Sequence, residues 1–396
     1  MTMHADADSH RLFTQAVHAG ERPDPSTGDS VAPIHMATTF YLGSTEEGAA
    51  LFTGERDGYV YNRWDHPNQR MLEEKAAALD GADAALATAT GMAAITTALL
   101  SHLQAGDHVV ATDQLYSGTQ HIFTHEFPRL GMSATLVDGA EPQNFSDAVR
   151  PNTRLVYLET PGNPTLKLND IAAVCAFARA RGITTMLDNT FATPMNQRAL
   201  ELGADVILYS ATKYMAGHGQ AMGGMIVGKR DFVDRARHGA LRYLGGVISP
   251  FNAWLIMLGM HTYPLRVQRQ NQTALELARF LEDHPAVAWV RYPGLESHPQ
   301  HALARRQMRG FGGMIAFELR GGLAAGARMM DRVKLCTLAV SLGHTKSLIC
   351  HSASTTHSTM AREERLASGI TDGLVRLSVG LEDVEDLMLD LDQAMR

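Results

Sequence analysis

The sequence predicts an α/β fold with a large, mostly parallel sheet and a smaller C-terminal α/β domain. Short apolar runs alternate with helix-like stretches between about residues 61 and 250. Most of these runs have a continuous apolar stretch rather than an alternating pattern, which is typical of strands covered by helices on both faces. A second region of strand and helix follows the turn at Pro293-Gly294. The 396 residues are sufficient for two or three domains.

The elements of the large domain follow one another in a regular order. They are a helix over 91–103, strands over 108–113, 133–138 and 153–160, a helix over 171–182, and strands over 184–190, 205–213 and 223–229. In the C-terminal domain we predict strands over 313–322 and 374–381 and a closing acidic helix. Functional groups of such folds gather at the carboxyl ends of strands, where Asp188 and Lys213 are found.

The first 60 residues have a different character. They are irregular, with a turn-rich stretch over 23–33, and they are too polar to form a core of their own. We therefore expect them to lie on another surface. The predicted organisation is an N-terminal arm over 1–60, a large α/β domain over 61–250 and a C-terminal domain over 251–396.

Composition excludes several classes of function. The formal net charge of −7 argues against a nucleic-acid or anionic-membrane surface. The sequence contains no apolar run of the ~20 residues that a membrane span needs, and its first 13 residues have no apolar signal core. Three cysteines, Cys175, Cys336 and Cys350, lack metal-site spacing and indicate a reducing cytoplasm.

The most informative stretch is SATKYMAGHG, residues 210–219. It places Lys213 directly after an apolar strand, in a turn of small and hydroxyl-bearing residues. Partial burial lowers the pKa of a lysine and frees its amine to form an imine with a carbonyl cofactor. By itself this placement does not decide the function.

Other residues would suit a phosphorylated pyridine cofactor. Asp188 ends an apolar strand and could keep a ring nitrogen protonated, although a turn or helix-cap aspartate is the alternative. Gly91 and Met92 open a helix after a strand and could bind a phosphate, with Ser210 and Thr212 as hydroxyl donors. Such a turn is common in α/β proteins, so this second indication is weak alone.

Two further side chains have open interpretations. Tyr116 follows a strand by a short loop and could stack on a cofactor ring or transfer a proton, or it could be a core tyrosine. Arg376 lies in an otherwise apolar strand and could bind a substrate carboxylate, or it could form a structural ion pair.

Two patterns point to other chemistry and are weak. The spacing over 223–229 matches a phosphate loop, but Arg230 replaces the magnesium-binding hydroxyl residue. His344, His351 and His357 have spacings that fit no common zinc pattern, so no metal site is expected.

The motifs together resemble the Cys/Met-metabolism family of pyridoxal-phosphate enzymes, from about Thr14 to the C-terminus. The motifs that carry the resemblance are YSATKYMAGHG, VYNRWDHPNQRMLE, TPGNPTLKL, LDNTFATP and GLVRLSVGLED. The family includes cystathionine γ-synthase, cystathionine γ-lyase, methionine γ-lyase and the O-acylhomoserine sulfhydrylases. The resemblance implies a type I pyridoxal-phosphate fold, a homotetramer built from two tight dimers, and pyridoxal 5′-phosphate as the cofactor. It also implies that the arm over 1–60 contacts a neighbouring subunit and that the domain over 61–250 binds the cofactor.

The resemblance also implies roles for individual residues. Lys213 would be the Schiff-base lysine, Asp188 would contact the ring nitrogen, and Tyr116 would stack over the ring. The cofactor phosphate would be bound by Gly91, Met92, Ser210 and Thr212. The phosphate of the neighbouring subunit would be contacted by Tyr61 and Arg63. The substrate carboxylate would be contacted by Asn163, Ser341 and Arg376.

Four positions bear on the subfamily. Val340 stands where cystathionine γ-lyases typically carry glutamate, and the chain looks most similar to methionine γ-lyases. Gly118 replaces a cysteine of that subfamily, and Arg242-Tyr243 replaces a Lys-Asp pair. These two departures point to a different substrate side chain or to γ-replacement. The resemblance as a whole implies a carbon–sulfur lyase that performs γ-elimination on a sulfur amino acid.

The alternatives come from the same family and from other classes. The first alternative is a γ-replacement enzyme, which would be an O-acetyl- or O-succinylhomoserine sulfhydrylase or a cystathionine γ-synthase. Cystathionine γ-lyase is a less favoured alternative. A non-catalytic binding protein with the same fold is disfavoured by intact Lys213, Asp188, Tyr116 and Arg376. A nicotinamide dehydrogenase would need a glycine fingerprint after a strand, which the sequence lacks.

Overall fold

A computed structural model of the chain describes residues 10–355, 358, 361–367 and 369–396. His357 lies outside these residues, as do the first nine residues of the predicted N-terminal arm. The described chain divides into two compact units. The first comprises the residues up to Leu103 together with Asp205–Ala216 and Gln220–Thr262, and the second comprises Gln104–Ala204, Gly217–Gly219 and the residues from Tyr263 onward.

The described residues form 17 α-helices and 12 strands. The α-helices are α1 (Leu12–His18), α2 (Thr45–Thr53), α3 (Pro67–Asp80), α4 (Gly91–Leu100), α5 (Ser117–His121), α6 (Phe127–Arg129), α7 (Pro142–Asp147), α8 (Ile171–Ala180), α9 (Thr193–Asn196), α10 (Arg230–Ala236), α11 (Arg242–Leu244), α12 (Pro250–His261), α13 (Tyr263–Glu282), α14 (His301–Gln307), α15 (Gly322–Arg332), α16 (Arg362–Ala367) and α17 (Val384–Met395). Two π-helical turns cover Ile122–Glu126 and Arg237–Leu241.

The strands belong to a mixed sheet of seven strands and a second sheet of five within the described residues. The strands are β1 (Ala84–Thr88), β2 (His108–Thr112), β3 (Ser133–Val137), β4 (Thr153–Glu159), β5 (Thr184–Asp188), β6 (Val206–Tyr209), β7 (Gly224–Gly228), β8 (Val287–Arg291), β9 (Met314–Leu319), β10 (Thr337–Leu338), β11 (Leu348–His351) and β12 (Leu374–Ser378). The predicted α/β fold is thus confirmed.

In the first unit, β7 lies between β1 and β6 and pairs antiparallel with both. Every residue of these three strands is buried, as continuous apolar runs predict. Such runs do not reveal strand direction, and the antiparallel pairing of β7 is a feature that the sequence did not indicate. Helix α4 packs on β7 and β6, and its N-terminus follows directly after β1.

The N-terminal region of the first unit contains more regular structure than expected. Its described part includes α1 and α2, where an irregular chain was predicted. Lys75 of α3, whose side chain is fully buried, donates from Nζ to the carbonyl oxygen of Ala16 at 2.8 Å and pairs with Glu21 at 2.9 Å. Glu21 also contacts Nε2 of His261 at 2.6 Å. This buried network fastens the end of α1 to α3 and α12.

In the second unit, four strands run parallel in the order β5-β4-β2-β3. The central strands are buried along almost their whole length. The carboxyl ends of β4 and β5 carry Glu159 and Asp188, which occupy paired register positions. The parallel arrangement therefore places two acidic residues side by side at the same edge.

The second unit also contains the five-stranded sheet, in the order β10-β11-β12-β9-β8. Helices α13, α15 and α17 cover an apolar core that includes Leu277, Phe317, Val375 and Leu387. Strand β12 pairs antiparallel with β11 and β9, so it is a central strand. Arg376 therefore projects from the middle of this sheet.

Each of the two units is assembled from segments that are not contiguous in the chain, so the units do not test the predicted domain boundaries at 60 and 250. Those boundaries remain predictions. None of the described helices has the length and apolar character needed to cross a bilayer.

Candidate active site

The predicted site residues are divided between the two compact units. The first unit holds Tyr61, Arg63, Gly91, Met92, Ser210, Thr212 and Lys213. The second unit holds Tyr116, Asn163, Asp188, Ser341 and Arg376.

In the first unit, the turn after β6 lies against the start of α4. A Cβ atom on Gly91 would lie 2.9 Å from both Cβ and Oγ of Ser210. Real Cβ atoms do not approach other atoms so closely, so only glycine permits this contact. The fold thus brings together two of the residues that were predicted to bind phosphate.

The start of α4 is an anion-binding arrangement. Thr90 is the N-cap residue, and its Oγ1 accepts from the N–H of Ala93 at 3.0 Å. The N–H of Ala94 is the first to bond within the helix, to the Thr90 carbonyl at 3.0 Å. The N–H groups of Gly91 and Met92 come before it and have no acceptor in the preceding turn of the helix, so they can bind a ligand. The positive end of the helix dipole adds to their attraction for an anion.

Backbone contacts hold the turn that carries Lys213. The N–H of Lys213 donates to the carbonyl oxygen of Ser210 at 3.1 Å. Thr212 is joined to Gly223 because its Oγ1 accepts from the Gly223 N–H at 3.1 Å and its own N–H donates to the Gly223 carbonyl at 3.2 Å. Lys213 itself is half-buried. Its amine is therefore placed on a constrained turn rather than on a freely moving surface loop.

Tyr61 and Arg63 form a separate group in the first unit. The Arg63 guanidinium lies 5.4 Å from the centroid of the Tyr61 ring. Arg63 also donates to the carbonyl oxygen of Arg242, whose own guanidinium stacks 4.1 Å above the Trp64 ring. The Arg242 position, which departs from the methionine γ-lyase pattern, thus helps to place Arg63.

In the second unit, Asp188 is buried at the end of β5. Burial raises the pKa of its carboxyl group, while hydrogen bonds from Thr190 lower it. The Thr190 N–H donates to Asp188 Oδ1 at 3.0 Å. A cationic partner would favour the charged form of this carboxyl group, as a protonated ring nitrogen would.

Tyr116 is the N-cap residue of α5, and its ring is about half exposed. Its backbone N–H donates to Glu159 Oε2 at 2.8 Å. The tyrosine is therefore not a core residue, which was the alternative interpretation. Its backbone is held by a buried carboxyl group while its ring is left accessible.

Arg376, Asn163 and Ser341 are brought together in the second unit. Arg376 donates from Nη1 to Asn163 Oδ1 at 2.9 Å and from Nη2 to the Ser341 carbonyl oxygen at 3.2 Å. Ser341 has a φ of 100°, a conformation that is unusual for a residue other than glycine. Its Oγ lies 3.3 Å from Nε2 of His344. The predicted carboxylate-binding residues thus form one connected group.

Sequence reasoning missed several polar residues that support this unit. Asn189 Nδ2 donates to the Gln197 carbonyl at 3.0 Å, and Gln197 Nε2 donates back to Asn189 Oδ1 at 2.9 Å. Gln300 donates to the Leu168 carbonyl at 2.7 Å and so holds the loop that carries Asn163. Glu159 was also missed, although an acid at the end of an apolar strand was a signal equal to that of Asp188.

These residues fit a phosphorylated pyridine aldehyde. In the first unit, Ser210 packs closely against Gly91 at the start of α4, where the first N–H groups of the helix can bind an anion. Lys213 offers an amine on the constrained turn after β6. In the second unit, Asp188 offers a buried carboxyl group for a ring nitrogen and Tyr116 an accessible aromatic ring.

Comparisons with known proteins identify the family of the chain. The sequence profile of the family described as Cys/Met metabolism PLP-dependent enzyme matches residues 13–396. The chain belongs to this family. Pyridoxal 5′-phosphate is accordingly its cofactor.

Individual relatives match over nearly their full length. The L-methionine gamma-lyase of Porphyromonas gingivalis is 47% identical over 384 residues, which cover 96% of each chain. The O-acetyl-L-homoserine sulfhydrylase of Leptospira meyeri is 38% identical, with 97% of this chain and 96% of that protein covered. The crystal structure of metB from Corynebacterium glutamicum superimposes with a TM-score of 0.93 at 36% identity, covering 99% of both chains.

Proposed function

We propose that this enzyme is a carbon–sulfur lyase that performs γ-elimination on a sulfur amino acid, with methionine or homocysteine as substrate. The products would be a 2-oxo acid, ammonia and the released sulfur compound, which is a thiol from methionine and hydrogen sulfide from homocysteine. The observation that carries the proposal is the 47% identity, over 96% of both chains, to a protein named L-methionine gamma-lyase. The named sulfhydrylases are less similar, at 38% and 39% identity.

The family motifs supply the residues that would hold the cofactor. Lys213 would hold it covalently, and Gly91, Met92, Ser210 and Thr212 would bind its phosphate. Asp188 would stabilise the protonated ring nitrogen. When bound, pyridoxal phosphate supplies an electron sink for the charge left by loss of the Cα proton.

Two residues would move protons during the reaction. The Lys213 amine would take the proton from Cα of the substrate and then move a proton at Cβ. The Tyr116 hydroxyl would deliver a proton to the leaving sulfur, which its half-exposed ring permits. Water then completes the elimination by providing the oxygen of the 2-oxo acid as ammonia leaves.

The substrate carboxylate would be bound by Arg376 with Asn163 and Ser341. The guanidinium has five N–H donors, and contacts to Asn163 and the Ser341 carbonyl orient it. A planar fork held in this way suits bidentate binding of a carboxylate. These contacts would fix the substrate end that is common to every amino acid, so they do not select the side chain.

Side-chain selection would depend on Val340, Gly118 and the Arg242-Tyr243 pair. Val340 is 63% exposed and is apolar where a cystathionine-type site carries an acid. This replacement favours a substrate without a distal charged group. The alternative is γ-replacement, in which a thiol or sulfide adds at Cγ of an O-acylhomoserine.

A substrate panel separates these activities. Methionine, homocysteine, cystathionine, O-acetylhomoserine and O-succinylhomoserine would be supplied with and without sulfide, and 2-oxo acid and thiol products measured. We expect 2-oxo acid with a thiol from methionine or with hydrogen sulfide from homocysteine, and product formation roughly 10²–10⁴-fold slower or more in Lys213→Ala. Far faster turnover of an O-acylhomoserine with sulfide would replace the lyase proposal with a sulfhydrylase.

We also propose that the enzyme is a cytoplasmic homotetramer of two tight dimers, in which Tyr61 and Arg63 reach the phosphate of the neighbouring subunit. Tyr61 is 43% exposed beside Arg63, which supports a role outside the core of its own unit. Light scattering on the holoenzyme would test the tetramer, and a monomer would contradict it.

A further inference from the structure

Glu159 forms a pair of buried acids with Asp188. The two residues end the adjacent parallel strands β4 and β5 and occupy paired register positions. Side chains at paired positions of parallel strands project from the same face of the sheet. Glu159 is 4% exposed and Asp188 is 8% exposed. Two carboxyl groups so placed cannot both be ionised without a large cost in free energy.

The hydrogen bonds of the two acids differ in a way that decides which one is charged. Asp188 accepts from the Thr190 N–H and is also stabilised by the Thr190 side chain. Glu159 accepts from the Tyr116 N–H at 2.8 Å. Because donated hydrogen bonds favour the carboxylate, Asp188 is the better site for the negative charge of the pair.

The surroundings of Glu159 favour its neutral form. Burial raises the pKa of Glu159 well above its usual range, and the nearby Asp188 raises it further. Tyr157, two residues earlier on β4, is fully buried. Its own pKa is raised by burial and by both acids, so it remains neutral as well.

We infer that Glu159 is a positioning residue that carries the proton of the Glu159–Asp188 pair and holds the backbone of Tyr116. It thereby keeps a single negative charge, on Asp188, beside the ring nitrogen. It also fixes the start of α5 and so the root of the Tyr116 side chain. This inference rests on the proposed roles of Asp188 and Tyr116 in cofactor binding and proton transfer.

Residue 159 therefore needs a neutral side chain and an oxygen that accepts from the Tyr116 N–H. Glu159→Gln keeps both, because its amide is neutral and its carbonyl oxygen accepts from the Tyr116 N–H. Glu159→Leu keeps neutrality and approximate size but leaves that buried N–H without an acceptor. The two variants therefore separate the electrostatic role from the hydrogen bond.

The holoenzyme and both variants would be compared by three measurements at neutral pH. These are the infrared band of a protonated carboxyl group, cofactor affinity by absorbance titration, and kcat and KM. Asp24→Asn is the control, since it removes an exposed carboxylate whose pKa is lowered to about 2 and which is therefore ionised. Circular dichroism would show that each variant is folded.

We expect the wild-type infrared band to be absent from both Glu159 variants and retained in Asp24→Asn. In Glu159→Gln, cofactor affinity and kcat would stay within about threefold of wild type, whereas in Glu159→Leu kcat would fall roughly 10- to 100-fold with a smaller change in KM. Persistence of the band in Glu159→Gln, or an equal loss of kcat in both variants, would overturn the inference. The infrared and titration results require no substrate. If the lyase proposal failed, these two results would not change, so the two failures can be distinguished.

Discussion

Arg376 donates to Asn163 Oδ1 at 2.9 Å, which joins the central strand of the smaller sheet to the loop after β4. A second donor of Arg376 contacts the Ser341 carbonyl at 3.2 Å. Two uncharged acceptors thus fix the orientation of the guanidinium, and no acid among the described residues forms an ion pair with it. This arrangement leaves its positive charge for a ligand.

Arg376→Lys should raise KM for the amino-acid substrate by roughly 10- to 100-fold, because one ammonium group cannot reproduce a bidentate contact with a carboxylate. The effect on kcat should be smaller. Steady-state kinetics would measure both, with Arg305→Lys, an exposed position on α14, as the control. An unchanged KM would remove Arg376 from the substrate site.

Lys213 should carry the cofactor. The purified protein should be yellow, and borohydride reduction should fix the cofactor to the peptide that contains Lys213. Lys213→Ala should lower turnover by roughly 10²–10⁴-fold or more through loss of the proton-transfer group, while Lys229→Ala, an exposed lysine, should not. An adduct mapped to any other lysine contradicts this assignment.

Tyr61 and Arg63 should act on the neighbouring subunit's site. Mixing Arg63→Ala with Lys213→Ala protein should restore activity, because a mixed dimer would contain one site with both residues intact. As a control, Lys213→Ala mixed with Asp188→Asn should not recover, since both residues would serve the same site. Absence of recovery after proven subunit exchange would argue against action in trans.

Gly118→Cys should shift preference toward methionine. Gly118 lies in the first turn of α5, two residues after Tyr116, so a side chain there would narrow the space near the proposed acid. One small side chain is typically worth roughly 1–3 kcal/mol of discrimination, so a shift of ~10-fold is expected. The ratio of kcat/KM values for methionine and homocysteine would show it, and a constant ratio would exclude Gly118 as a determinant.

Stability should fall in mild acid because of His298. Its Nε2 lies 3.2 Å from the Leu166 carbonyl and its Nδ1 accepts from the Gln300 N–H at 3.1 Å, an arrangement that needs the neutral ring. Burial lowers its pKa to about 4. In the unfolded chain, His298 has the ordinary histidine pKa of about 6.5. Below that pH the unfolded chain takes up a proton that the folded protein does not, so the free energy of unfolding should drop as pH falls from 6.5 toward 4.

By pH 5 the loss should be roughly 2 kcal/mol. Urea unfolding at pH 7.5 and pH 5 would measure it. His298→Gln should reduce this difference, and His10→Gln, at an exposed position, should not. An unchanged difference in His298→Gln would show that other groups, such as His108 with its pKa near 4, account for the acid sensitivity.

The sequence determined the fold class and most of the strands. The strands that contain Asp188 and Arg376 were predicted within a few residues of their observed ends, because a continuous apolar run and a following turn are local signals. The glycine-started helix at Gly91 was predicted for the same reason. Its family motifs also identified the cofactor, since these motifs carry chemistry in a local pattern.

The tertiary structure decided strand direction, the packing of the N-terminal region and the contacts between residues far apart in the chain, none of which a local sequence pattern contains. Strand direction in β7 and the two N-terminal helices depend on which surfaces they pack against. Glu159 became recognisable only when parallel pairing placed it beside Asp188, and the Arg376–Asn163 contact joins residues 213 positions apart in the chain. Local propensity acts over a few residues, whereas the charge and the hydrogen bonds of a buried group depend on every element that surrounds it.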